Sequence, residues 1–283
     1  MTGVLLSFGH GYSAQVLSQV LATQGWQIFG TSRSKDGLPG VTVSGAHSVL
    51  WPGDPVEVLL DQATHLLISI APNENGDPVL NALSDQIAER RDQFKWVGYL
   101  STTGVYGDHG GGWVDETTAL NPATKRGQMR VEAEHAWQAM GLPLHIFRLA
   151  GIYGPGRGPF SKLRKGTARR IIKENQVFSR IHVEDITQVL AASIAKPNAG
   201  SVYNVCDDLA APPEDVIAYA AELLGLPVPI AEDFKLSEMT PMARSFYSES
   251  KKVSNVKIKE ELGVILKYQD YKAGLEALLA ESR

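Results

Sequence analysis

The chain has 283 residues, a length that suits one large or two small domains. Its 43% hydrophobic and 20% charged residues are ordinary for a folded protein and exclude disordered or collagen-like structure. With 27 Lys+Arg against 31 Asp+Glu the net charge is −4, so no basic excess marks a nucleic-acid or anionic-membrane surface.

The first half alternates short apolar runs with amphipathic ones. Val4–Phe8 reads as a strand, Ser13–Gln24 as a helix and Trp26–Thr31 as a strand. Ser48–Trp51 is a weak strand, and Asp54 can cap a helix over Pro55–Gln62. His65–Ile70 is a strand stopped by Ala71-Pro72. Asp77 followed by Pro78 opens a helix to about Phe94. Trp96–Ser101 is a strand, Ala123–Met140 a helix ended by Gly141, and Leu144–Leu149 a strand. Such alternation predicts a doubly wound α/β fold, a parallel sheet with helices on both faces. Beyond Gly151 the rhythm changes. Residues 154–180 are rich in Gly and Arg, Asp185–Ala195 is a helix, Ser201–Val205 a strand and Pro213–Leu224 a helix. Residues 226–247 have no clear period, and Lys251–Leu262 and Tyr271–Glu281 read as closing helices. The single cysteine, Cys206, fits a reducing compartment, and no Cys/His cluster has zinc spacing. The opening MTGVLLSFGHG has no charged leader region, and no run reaches ~18 apolar residues. A cytoplasmic protein with no metal site, nucleic-acid partner or membrane span is expected.

Gly9-His10-Gly11-Tyr12-Ser13-Ala14 is a G-x-G-x-x-A turn between the first strand and first helix. Gly9 allows the tight turn, Gly11 lets a pyrophosphate approach the backbone, and Ala14 keeps helix and strand close. The helix N-terminus then faces the phosphates, so dinucleotide binding is predicted. The second strand ends in Ser32-Arg33-Ser34-Lys35, where an NAD-binding chain would carry a carboxylate. A guanidinium at Arg33, with Ser34 beside it, suits the 2′-phosphate of NADP, which favours NADP (NADPH) over NAD. The alternative is an exposed loop arginine, with Asp36, slightly late, in the NAD role. Eleven of the 27 glycines fall at positions 9 and 11, 104 to 112, and 151 to 158, all after predicted strands.

Three further segments complete a pattern. Leu100-Ser101-Thr102-Thr103-Gly104-Val105-Tyr106-Gly107 ends the fifth strand. Arg148-Leu149-Ala150-Gly151-Ile152-Tyr153-Gly154-Pro155-Gly156-Arg157 ends the sixth. Arg180-Ile181-His182-Val183-Glu184-Asp185 precedes a helix. With the glycine turn, and with Asn204 and Lys251-Lys252-Val253, these resemble the extended short-chain dehydrogenase/reductases, the NAD(P)-dependent epimerase/dehydratase group. The short glycine spacing is nearest its atypical, YeeZ-like members. The resemblance covers nearly the whole chain. It implies a seven-stranded Rossmann sheet over 1–154, completed by about 181–206, and a smaller α/β substrate domain from about 155–180 and 207–283. It also implies cofactor contacts at Ile70, Ala71, Ser101, Leu149, Gly151 and Ile152 besides the glycine turn.

The resemblance further implies a Ser/Thr after the fifth strand and a Tyr-x-x-x-Lys pair on the next helix. Thr102 matches the Ser/Thr. Registered on Pro122, Gly127 and Glu134, the helix carries Arg126 where tyrosine belongs and Arg130 where lysine belongs. Arginine stays protonated, with a pKa above ~12, and cannot exchange the proton a tyrosine would. At i and i+4 the two share a helix face and would suit an anion, a substrate carboxylate, a phosphate or the cofactor itself, unless the helix is rotated or surface-exposed and they pair with Glu132 or Glu134. Tyr106, Tyr153 and His109 are the alternative proton donors, and Gly110–Glu116 with Trp113 is either a closing loop or a merely mobile one. Asp185 reads as a helix N-cap. Two functions follow. One is an NADP-dependent oxidoreductase or epimerase acting on a small carbonyl or sugar-like compound with a rebuilt acid/base. The other is an NADP-holding sensor or scaffold without catalysis. A homodimer through the helices at about 78–94 and 123–141 is also implied, with Leu80, Leu83 and Ile87 either on that interface or against the sheet.

Overall fold

Strands that are apolar on every residue need cover on both faces, and a parallel sheet between helices supplies it. The computed structural model describes residues 2–281. Its main sheet has seven parallel strands: β1 Val4–Phe8, β2 Gln27–Ser32, β3 His47–Leu50, β4 His65–Ile68, β5 Trp96–Thr102, β6 Leu144–Leu149 and β7 Val202–Val205. Their order is β3-β2-β1-β4-β5-β6-β7. Every residue of β4 and β6 is buried. The order reverses between β1 and β4, which opens a crevice beyond the carboxyl ends of those strands.

Alternation along β1 divides the core. Leu5 enters one apolar cluster with Leu17, Leu21, Trp96, Phe147, Ile186 and Leu190. It lies under helices α1 (Tyr12–Thr23) and, after the crossover, Val183–Ala195. Leu6 and Phe8 enter the other, with Leu66, Ile68, Val79, Leu83, Ile87, Tyr99 and Trp137. Helices α2 (Pro78–Glu89) and α3 (Lys125–Ala139) cover this face. The stripe containing Leu83 and Ile87 is therefore spent on the sheet. A third cluster gathers Tyr153, Phe160, Leu163, Val216, Ala220, Tyr271 and Leu275 beside the carboxyl edge of the sheet. Two short parallel pairs accompany it, Gly151–Tyr153 with Arg180–His182 and Arg170–Ile172 with Ala231–Asp233.

Several boundaries differ from the sequence reading. Asp77 caps α2 as expected, accepting from the amides of Val79 at 2.9 Å and Leu80 at 3.1 Å. Asp54 instead accepts from the amide of Leu50 at 2.8 Å, and the helix after it starts at Glu57. The helix expected from Asp185 starts at Val183 with His182 as its cap. Asp185 is buried and accepts from the amides of Lys267 at 2.7 Å and Tyr268 at 3.1 Å. The tract expected as one helix from Lys251 first pairs Lys252–Val253 with Trp113–Val114 and turns helical only at Val256. Its Ile258, Leu262, Val264 and Leu266 join the first core, so this part of 207–283 belongs with the main sheet. Their apolar spacing matches the uncovered flank of β7. No helix among the described residues is long and apolar enough to cross a membrane.

Gly30 lets the His10 ring seat beneath β2: a Cβ there would lie 2.5 Å from His10 Cγ and 2.7 Å from Val41 Cγ1. Gly30→Ala is expected to cost about 1–3 kcal/mol by overpacking, read as a lower urea midpoint with unchanged slope.

Candidate functional site

The glycine turn lies at the switch point of the sheet. Gly9 has φ +77°, and a Cβ there would come 2.6 Å from Ile70 Cγ1, so the turn is closed to side chains on that side. It is tied on both flanks. The Gly9 amide donates to Thr31 Oγ1 at 2.9 Å and the His10 amide to the Thr31 carbonyl at 2.8 Å. The Ser69 hydroxyl donates to the Gly9 carbonyl. Gly11 differs: a Cβ there would meet nothing closer than the Gly9 carbonyl at 3.8 Å. Gly11 is also the N-cap of α1, and no side chain caps that helix. A rigid turn, an open glycine face and an uncapped N-terminus form a cradle that fits a pyrophosphate.

The predicted cofactor residues divide by position. Ser13 and Ala14 are buried beneath the turn, and Ile70 and Ala71 follow β4 into the crevice. Arg33 is exposed at the end of β2, with no carboxylate partner among the described residues, and Ser34 bonds through its backbone to Ser32. Tyr12 donates to the Pro155 carbonyl at 2.9 Å, with the Arg157 guanidinium 5.7 Å from its ring centre. Gly151 is exposed and Ile152 half-buried in the short strand beyond β6. Three side chains do not reach the crevice. His10 is packed inward, its Nε2 3.0 Å from both Ser18 Oγ and Ser44 Oγ, and burial lowers its pKa to about 4. Leu149 belongs to the core. Ser101 is buried and donates to Glu134.

That last contact opens a buried polar chain. Glu134 and Arg148 form a two-point ion pair, Nη2 to Oε2 at 2.8 Å and Nε to Oε1 at 3.3 Å, with both side chains at most 5% exposed. Arg148 Nη1 also donates to the Tyr106 hydroxyl at 3.0 Å, which donates to Asn204 Oδ1 at 2.7 Å. Tyr106 is fully buried, and burial raises its pKa. The expectation that it touches substrate is thereby corrected: its hydroxyl is spent between β6 and β7. Tyr153 is likewise buried, bonded to the Asp270 carbonyl at 3.2 Å and packed on Gly274.

With Glu134 engaged by Arg148, the two arginines of α3 have no carboxylate partner among the described residues. Arg130 Nη1 donates to the Leu100 carbonyl at 2.8 Å and the Tyr99 hydroxyl at 3.1 Å, which fixes its guanidinium at the end of β5. Arg126 is exposed, its Nη2 3.4 Å from Ser245 Oγ and its guanidinium 4.9 Å from the Phe246 ring centre. Thr102, half-buried where β5 ends, accepts from the Gly104 amide at 3.2 Å, so its own proton stays available. His109 Nε2 faces the Tyr106 carbonyl at 3.2 Å.

The Gly110–Glu116 loop is pinned. Asp108 accepts from the Ser250 amide at 2.7 Å, the Gly111 amide donates to the Ser250 carbonyl at 2.9 Å, and Lys251 Nζ donates to the Gly107 carbonyl at 2.7 Å. Glu116 reaches the amide of Asn204 at 2.7 Å, and Trp113 stays 65% exposed.

No family model matches the chain. Protein YeeZ of Escherichia coli K12 is 31% identical over 238 residues, covering 78% of this chain and 84% of that one. The chain belongs to the YeeZ-like epimerase/dehydratase family. A functionally unknown conserved protein from Silicibacter pomeroyi DSS is 66% identical, with TM-score 0.95 over 99% of both chains. UDP-glucuronic acid 4-epimerase from Bacillus cereus, solved in complex with NAD, shares the fold, with TM-score 0.79 at 16% identity over 98% of this chain and 96% of that one.

Against that fold, this YeeZ-like chain brings Thr102, Arg126 and Arg130 to the carboxyl edge of the sheet and withdraws Tyr106 and Ser101 from it. Sequence reasoning did not find Tyr99, Ser245 and Phe246. Tyr99 looks like any core aromatic, and the other two lie in a segment without period. The hydroxyls of Tyr106 and Tyr153, the two tyrosines expected as proton donors, are both buried and engaged.

Glu134→Ala leaves Arg148 buried without its carboxylate and is expected to cost about 3–5 kcal/mol, measured by urea denaturation. His10 supplies a pH test. The unfolded chain protonates it below its ordinary value of 6.5, the folded chain only near 4. Its contribution to stability is therefore complete above 6.5 and lost as pH falls toward 4. His10→Asn should reduce the slope of stability against pH in that window by about one proton, ~1.4 kcal/mol per pH unit.

Proposed function

We propose that this protein binds a nicotinamide dinucleotide, NADP(H) in preference to NAD(H), and uses it as an oxidoreductase or epimerase on a small carbonyl or sugar-like compound. The observation that carries the cofactor is the open face of Gly11 at an uncapped helix N-terminus, on a turn held rigid by Thr31 and Ser69. The NAD-bound epimerase of the same fold supports the class of ligand. Arg33, exposed and free of carboxylates at the end of β2, supports the phosphorylated form.

A bound nicotinamide would supply hydride transfer. Thr102 would hydrogen-bond a substrate oxygen through its hydroxyl. Arg130, fixed by Tyr99 and Leu100, would stabilise negative charge on that oxygen through its remaining N–H groups. Neither arginine supplies a proton, so in this reading water takes the tyrosine's part in proton exchange. The second reading, an NADP-holding sensor without turnover, is favoured by one observation: the hydroxyls of Tyr106 and Tyr153 are both buried and engaged.

A thermal-shift comparison tests the cofactor. NADPH near one hundred times its Kd should stabilise by about 2.7 kcal/mol, NADH by less, and Arg33→Ala should remove the difference. Equal or absent shifts with both would reject the NADP assignment. A carbonyl-substrate panel separates the two functions: NADPH turnover abolished by Thr102→Val excludes the sensor, and bound but inert NADPH across the panel excludes the enzyme.

A further inference from the structure

The first turn of α3 is built against its own electrostatics. Lys125 and Arg126 stand there with no acidic residue, at the end where the helix dipole disfavours cations. Arg130 follows four residues later, a like-charge spacing that further destabilises a helix. Lys125 is relieved by Glu74. Among the described residues Arg126 and Arg130 have no carboxylate partner, in a chain whose Asp and Glu outnumber its Lys and Arg by 31 to 27. Glu134, the acid best placed for Arg130, is engaged by Arg148.

The two guanidiniums are held differently. Arg130 is anchored by two hydrogen bonds to β5. Arg126 has one long contact, 3.4 Å, to Ser245 Oγ, and lies 4.9 Å from Phe246. Both partners sit at the end of a single six-residue helix, Pro241–Phe246. That helix has no buried residue, and its Met242 and Phe246 are 65% and 53% exposed. Neutral partners around an otherwise unpaired guanidinium are readily exchanged for an anion.

We propose that Arg126, supported by Arg130, is the binding site for an anionic group of the substrate, a carboxylate or a phosphate monoester, and that Pro241–Phe246 is the lid over it. This deepens the preceding reading and rests on it for the reaction.

The test uses the full chain, with inorganic phosphate and malonate as separate probes at fixed ionic strength and chloride as control. Calorimetry should detect at least one probe, with affinity reduced at least tenfold in Arg126→Ala and less in Arg126→Lys. Phosphate alone points to a phosphate monoester, malonate alone to a carboxylate, and both to a site that reads charge. Amide hydrogen exchange over residues 240–247 should change on binding in the wild type and not in Arg126→Ala. Equal affinity in the two proteins means an adventitious ion only and overturns the proposal, as does no binding of either probe. Unaltered exchange over 240–247 on binding overturns the lid. NADPH thermal shifts are measured alongside and should be the same in both proteins. Absence of that shift in the wild type rejects the cofactor reading, whatever the anion result.

Discussion

The ion pair between Arg148 and Glu134 governs the geometry of the site. It joins α3 to β6 in a place from which water is excluded, where two charges remain only if every remaining bond is made. Ser101 on β5 donates to Glu134, and Tyr106 after it accepts from Arg148 and passes its own proton to Asn204 on β7. The register of α3 against three strands is thereby held by directional contacts as well as by Trp137 in the core. Arg130 and Arg126, one and two helical turns upstream of Glu134, are carried to the carboxyl edge of the sheet as a consequence. The pair also engages Glu134, one of the two acids on α3 that could have neutralised them.

The same edge holds the glycine turn, and the two halves of the site differ in rigidity. Around Gly9 and Gly11 the backbone is tied to β2 and β4, as a phosphate cradle must be if its amides are to be oriented before the ligand arrives. Around Arg126 the cover is a short helix with little burial. A rigid turn beside a loosely covered arginine suits the proposed reading, in which one ligand stays and another is exchanged.

Much of the fold was legible in local patterns. The alternation of apolar runs, the G-x-G-x-x-A turn and the Asp77-Pro78 helix start depend on neighbours within a few residues, so position and type could be read directly. The helix cap at His182 was not legible, because Asp185 is the better capping residue by type and is drawn away by the amides of Lys267 and Tyr268. The strand Lys252–Val253 was missed because two residues have no period, and only their pairing with Trp113–Val114 defines them.

The sequence by itself determined the Rossmann architecture, the family resemblance and the i, i+4 spacing of Arg126 and Arg130 on one helix. Only the tertiary structure decided which polar groups are spent. Tyr106 meets Asn204 across 98 residues, and Arg126 meets Ser245 across 119. Strand and turn signals are carried by backbone periodicity, which is local. Whether a hydroxyl or a guanidinium is free depends on partners brought together by folding, and no spacing along the chain records that.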